Sequence, residues 1–134
     1  MSKAYQPLLK KIGITYPQYL VLIVLWQTDE ISVSTLGQHL HLDSGTLTPL
    51  LKRLEATELV LRQRSSKDER QVIVSLTTAG KNLKKIAIDF PKKMVCSTSL
   101  STSQANSMTT SLKKLRTKLL NSDLLKYEIK KGNL

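Results

Sequence analysis

Cysteine is almost absent: Cys96 stands alone. An intrachain disulfide framework and a cysteine-cluster metal site are therefore excluded. Glycine (5) and proline (4) are scarce and aromatic residues make up 4% of the 134 residues. So few turn formers argue against a sandwich or barrel. The longest apolar run, Tyr19 to Trp26, falls far short of the roughly 20 residues a membrane span needs. The opening MSKAYQPLLKK carries no apolar signal stretch, so a cytoplasmic protein is expected, with no membrane partner. No Gly-rich phosphate loop, nucleophile elbow or paired-carboxylate site is present. An enzyme is the least expected class, and no cofactor is expected.

Acidic residues are also few, 10 against 21 Lys and Arg, for a formal charge of +11. Such a balance points to a polyanionic partner, most often nucleic acid. The excess is uneven. Residues 1–80 carry nine basic against seven acidic side chains, and residues 81–134 carry twelve against three. The basic surplus thus lies mostly where the pattern reads as plain amphipathic helix, so it reads there as a solvated lysine-rich face.

What the chain does have is helical periodicity. Tyr5, Leu8, Leu9 and Ile12 share one side of a short helix over 2–12 that Gly13 ends. Thr15 caps the next helix and Pro17 suits its first turn. From Tyr19 to Trp26 nearly every residue is apolar, which predicts a buried central helix. Ile31 is a candidate short strand, and Ser32 caps a helix through Val33, Leu36 and Leu40. Asp43 caps another, with Leu47, Leu50, Leu51 and Leu54 on one face and a mild irregularity expected at Pro49. Leu59 to Arg64 and Gln71 to Leu76 then read as a two-stranded hairpin with a charged tip. Thr77 or Thr78 caps a helix carrying Leu83, Ile86, Ala87 and Phe90, which Pro91 perturbs or ends. A last long helix carries Met108, Leu112, Leu115 and Leu119. The fold class is mainly α with a small β-hairpin: a winged helix-turn-helix, with one domain over 1–134, a DNA-binding lobe at 31–76 and its wing at 59–76.

In a helix-turn-helix the second helix enters the major groove by its N-terminal residues. Ser44, Thr46 and Thr48 offer hydroxyls there for base edges or phosphates, Gly45 allows close approach, and Lys52 and Arg53 suit backbone contacts. Taken singly, these hydroxyls read as caps or solvated surface. The wing carries Arg62, Arg64, Lys67 and Arg70. Its tip suits an arginine in a narrow minor groove, with Asp68 directing that arginine through paired hydrogen bonds. A lone charged hairpin would be a solvated turn; after a helix-turn-helix it reads as a wing. His39 and His41 lack a ligand triad beside them and read as surface residues near DNA, so no metal is expected.

Three stretches, ITYPQYLVLIVLW, LDSGTLTPLLKRLE and RSSKDERQVIVSLT, together resemble the MarR family. Within it they resemble the organic hydroperoxide resistance regulators of the two-cysteine kind. The resemblance covers residues 2–100 and weakens beyond. It implies a homodimeric repressor whose dimerisation helices come from both chain ends, 1–14 and 78–134. It further implies a pseudo-palindromic operator and release by an organic hydroperoxide. The family senses through a reactive cysteine in the first helix, held by two tyrosines that match Tyr5 and Tyr16. That cysteine counts to a position before Met1, which leaves two readings, a start placed too late or a lost sensor. Tyr5 and Tyr16 read equally as interface core. Cys96, in PKKMVCS, matches the resolving cysteine of two-cysteine members, which attacks the sulfenic acid of the other subunit. On residue type alone it reads as a small buried hydrophobe.

Three functions follow, in order. The first is a hydroperoxide-responsive repressor. The second is a MarR-like repressor released by an aromatic or phenolic ligand, or a constitutive one. The third is a basic architectural module with no operator.

Overall fold

A computed structural model describes residues 2–121, which divide into two compact units, with the boundary in the chain after Phe90. The first contains α1 (Ser2–Ile12), α2 (Tyr16–Gln27), β1 (Ile31–Ser32), α3 (Val33–Leu40), α4 (Ser44–Ala56), β2 (Val60–Arg64), β3 (Val72–Leu76) and α5 (Thr78–Ala87). The second contains α7 (Thr102–Leu120) and all but the first residue of α6 (Phe90–Ser97).

Local chemistry places the helix starts where the sequence put them. Gly13, at φ +69°, closes α1 in the left-handed region that costs glycine nothing. Thr15 caps α2 in a full capping box: Gln18 N donates to Thr15 Oγ1 (3.4 Å) and Thr15 N donates to Gln18 Oε1 (2.8 Å). The part of Gln18 had no place in the sequence reading. Ser32, Asp43 and Thr77 each cap a helix by accepting an amide three residues on. Pro49 leaves α4 unbroken to Ala56. The central helix α2 buries Tyr19, Val21, Leu22 and Leu25, and the core continues through Leu36, Leu47, Leu51, Leu54, Val60 and Val74.

Two expectations need correction. The wing is not a two-stranded hairpin alone: β1 adds to it, in the order β1-β3-β2, pairing Ile31 with Val74 and Ser32 with Ile73. A two-stranded ribbon is marginal in water, and β1 covers its inner edge. The helix expected to run through Phe90 also ends early, at Ala87, leaving Ile86 exposed. Pro91 has no amide to donate to the Ala87 carbonyl. The chain turns at Ile88 and Asp89 and restarts as α6, with Pro91 in the first turn, where no donor is needed.

In the second unit, Ser101 and Gln104 form another capping box at the start of α7. Met108, Leu112, Leu115 and Leu119 lie exposed along this helix. Residues 122–134, part of the segment expected to dimerise, lie outside the described residues.

The base of the wing, α2 and α5 meet at one point. Trp26 Nε1 donates to the Gly80 carbonyl (2.9 Å), Thr77 N donates to the Leu59 carbonyl (3.1 Å), and Leu76 N donates to Asp29 Oδ1 (2.8 Å). Gly80 is buried, and a Cβ placed on it would run into the Leu59 carbonyl oxygen. Backbone cannot yield as a side-chain tip does. Gly80→Ala is therefore expected to destabilise the protein by ~1–3 kcal/mol, the range for overpacking. The check is a lower denaturation midpoint at unchanged m-value.

Candidate nucleic-acid interface

The turn between α3 and α4 is three residues long and tightly built. His41 closes α3 at φ 54°, and Leu42 N donates back to the Gly37 carbonyl (3.0 Å). A Cβ on Gly37 would lie 2.7 Å from the Leu42 carbonyl oxygen, so glycine is what lets the two helices come this close. Asp43 then starts α4. Its carboxylate accepts from Thr46 N (2.8 Å) and from Thr46 Oγ1 (3.1 Å). The amide bond first, and the hydroxyl second, hold the Asp43 carboxyl below the usual carboxylate range.

Leu47, Leu51 and Leu54 bury one face of α4. At 3.6 residues per turn, the opposite face carries Gly45, Pro49, Lys52 and Arg53, with both cations exposed. Ser44 and Thr48, one turn apart, share a flank. Thr46 lies about half a turn away from them. The three hydroxyls expected to act together are thus divided, and that of Thr46 is engaged by the cap. Gly45 and Pro49 present no long side chain along the outward ridge, so the helix surface between the cations is low.

The wing is joined to α4 through Glu55, on the Ser44 and Thr48 flank. The Arg62 guanidinium donates to Glu55 Oε2 from Nε (2.9 Å) and Nη2 (2.6 Å), and Arg62 N donates to Glu55 Oε1 (3.2 Å). The Arg62 hydrogen bonds come first among the causes that keep the Glu55 carboxyl below its ordinary range. Arg62, a candidate DNA contact by sequence, is thus engaged within the protein. At the tip, Ser65 Oγ accepts from the amides of Lys67 (3.2 Å) and Asp68 (3.3 Å), and Arg64 Nη1 donates to the Glu69 carbonyl (3.3 Å). Asp68 was expected to direct an arginine side chain. Instead its Oδ1 accepts from the Arg70 backbone amide (3.1 Å), an Asx-type turn that shapes the loop. Lys67 and Arg70 are exposed at that tip.

Tyr5 and Tyr16 do come together, with ring centroids 5.4 Å apart. Tyr19, hidden within the apolar run in sequence, completes the cluster at 5.6 Å from Tyr5 and 6.0 Å from Phe90. Its spacing of three from Tyr16 was the available signal, since helical neighbours at that spacing share a face. Burial, then Tyr5 and Tyr16, push the Tyr19 phenol up to about 12. Burial and then Tyr16 raise that of Tyr5. Cys96, in the other unit, is exposed and not the buried hydrophobe that residue type suggested. Among the described residues no cluster of three His, Cys, Asp or Glu is placed to hold a metal. No single helix among them is long and apolar enough to cross a membrane.

Residues 3–87 match the family model of the SarA/Rot transcriptional regulators. The chain belongs to the SarA/Rot family of transcriptional regulators. It is similar to the organic hydroperoxide resistance transcriptional regulator of Bacillus subtilis, 54% identical over 91 residues, which are 68% of this chain and 62% of that protein. The chain thus spans less than two thirds of that relative's length. It is 37% identical over 111 residues to the HTH-type transcriptional regulator SarZ of Staphylococcus aureus, covering 83% of this chain and 75% of SarZ. Among solved structures it resembles reduced AbfR bound to DNA, AbfR being from Staphylococcus epidermidis, with a TM-score of 0.76 and 35% identity over 88% of this chain and 80% of that one. The family's winged-helix fold is the one described above. These homologues are transcriptional regulators, not enzymes.

The tyrosine cluster makes a prediction that can be checked without DNA. The folded Tyr19 value lies above its ordinary 10.0, so the stability contributed by the protonated phenol is full below pH ~10 and lost as pH rises through about 12. An ultraviolet titration is expected to show a late phenolate step coinciding with alkaline unfolding, and Tyr19→Phe is expected to remove that step.

Proposed function

We propose that the chain acts in the cytoplasm as the DNA-reading part of a homodimeric repressor that responds to organic hydroperoxides. The observation that carries the reading is a capped α4, exposed along its outer face and bonded to a wing whose tip presents Lys67 and Arg70. In this reading the lobe at 31–76 contacts DNA. Ser44 and Thr48 meet base edges from one flank of α4, and Thr46 meets them from the other. Lys52, Arg53 and Arg64 bind phosphates, while Lys67 and Arg70 reach the adjacent minor groove. Asp68 shapes the loop that carries them. Arg62, bound to Glu55, stands apart from this set. The helices in 1–14 and 78–134 pair two copies, so a pseudo-palindromic duplex with half-sites about one turn apart is the target.

Tyr5 and Tyr16, paired at one end of the first unit, serve the redox site in this reading, and Cys96 is its resolving thiol. A Cys96 thiolate that attacks a sulfenic sulfur displaces hydroxide and leaves a disulfide. The sulfenic acid belongs to a second cysteine outside these 134 residues, because Cys96 is the only one among them.

The test is fluorescence polarisation of the chain on a duplex it selects from a randomised pool. Arg70→Ala is expected to weaken binding roughly tenfold on the selected duplex. Lys52→Ala is expected to weaken selected and random duplexes alike and to lower the salt slope by about one. Equal affinity of the parent chain for selected and random duplex would mean an architectural module. Release by cumene hydroperoxide from a chain whose only cysteine is Cys96 would show that this thiol senses without a second cysteine. Release by a phenolic acid alone would favour ligand control, for which the aromatic cluster around Tyr19 is the supporting observation.

A further inference from the structure

Arg62 is the one wing arginine whose guanidinium bonds a carboxylate on α4. The side chains are 24% and 35% exposed for Arg62 and Glu55, so the pair is partly shielded. Its geometry is unlike that of a loose surface pair. Two guanidinium donors converge on Oε2 while the Arg62 amide takes Oε1. The order β1-β3-β2 makes β2 an edge strand. Its outward amide at Arg62 would otherwise face solvent or another chain. Glu55 therefore caps the open edge of the wing and grips its side chain at the same residue.

We propose that Glu55 and Arg62 form a clasp that sets the angle of the wing to α4, making both of them positioning residues for DNA recognition and neither a DNA contact. This rests on the wing reading given above. The lever arm explains why it matters. Strand residues advance about 3.3 Å each, so the tip stands roughly 10 Å beyond Arg62. A tilt of about 10° at the clasp would move it by ~2 Å. A charged hydrogen bond to a groove does not survive such a shift. Packing of Val60 and Val74 fixes the base of the hairpin, but Leu61, Gln63 and Arg64 are exposed. Beyond Val60, the clasp is what ties β2 to the reading helix.

The sign of one variant separates the two roles of Arg62. If Arg62 bound phosphate, Glu55→Ala would free a cation and delete an anion near DNA, and binding would tighten. As a clasp, Glu55→Ala is expected to weaken the duplex selected by the parent chain five- to tenfold, with affinity for random duplex unchanged or higher. The swapped pair Glu55→Arg with Arg62→Glu is expected to recover part of that loss, which a phosphate contact could not do. Tighter binding to both duplexes would overturn the proposal. So would equal weakening on both accompanied by a large fall in melting temperature, which would make the pair a fold stabiliser only. Arg70→Ala, measured alongside, keeps the two failures apart. If it is silent, the wing reading fails and the clasp with it. If it weakens binding while Glu55→Ala is silent, only the clasp fails.

Discussion

The approach of α5 to the Leu59 carbonyl governs where the wing stands. That oxygen accepts the Thr77 amide and lies against Gly80, and the Gly80 carbonyl in turn accepts the Trp26 indole. Three elements are thereby brought to one spot with backbone against backbone. Such contacts have no rotamers with which to adapt. The hairpin consequently leaves the core at a fixed place, directly after the last turn of α4. The short β1 and the carboxylate of Asp29, which accepts the Leu76 amide, complete the seat. A wing so rooted is free only beyond Val60, and there the Glu55–Arg62 pair takes over.

The reading helix meets two demands at once. It must bury Leu47, Leu51 and Leu54 to stay in place, and it must leave an outer face open to a groove. Three apolar positions at i, i+4 and i+7 satisfy the first with a narrow stripe. Asp43 satisfies the four unpaired amides of the helix start only in part, by bonding Thr46. Free amides at a helix start are a natural place for phosphate. The cap also withdraws the Thr46 hydroxyl proton toward Asp43. Thr46 therefore presents an acceptor and a methyl group. Ser44 and Thr48 remain able to donate.

Much of this was legible in the sequence because it is local. Thr15, Ser32, Asp43 and Thr77 announce their helices by a side chain reaching three residues on, and Gly13 announces a stop by needing a positive φ. The four-helix, wing, helix order and the pairing of Tyr5 with Tyr16 were readable for the same reason, through periodicity and through resemblance. What escaped was set by contacts distant in sequence. Ile31 was readable as a short strand, but its pairing with β3 across 43 residues was not. Tyr19 sits in an apolar run where every neighbour looks like core. Gly80 looks like an ordinary early-helix glycine until Leu59 is placed beside it. Asp68 and Arg62 carry the charges expected of them, but one bonds a backbone amide and the other a glutamate seven residues back. Charge type was readable there; the choice of partner was not.

That choice of partner also explains why net charge located the interface poorly. Residues 1–80 are only slightly basic by count, and four of their seven carboxylates are held by partners, while Glu30, Glu58 and Glu69 are exposed. Asp29 is turned to the Leu76 amide, Asp43 to Thr46, Asp68 to the Arg70 amide and Glu55 to Arg62. An acid bonded to backbone still carries its charge, but that charge is partly answered by the amide dipole and, at Asp29 and Glu55, by a cation. Among the described residues no carboxylate forms an ion pair with Lys52, Arg53, Lys67 or Arg70. The charge pattern at the outer face of α4 and at the wing tip therefore depends on where the acids are held as well as on their number. A chain built this way can bind a polyanion through a few cations placed by capped helices and a clasped hairpin. Discrimination among duplexes then depends on geometry more than on charge.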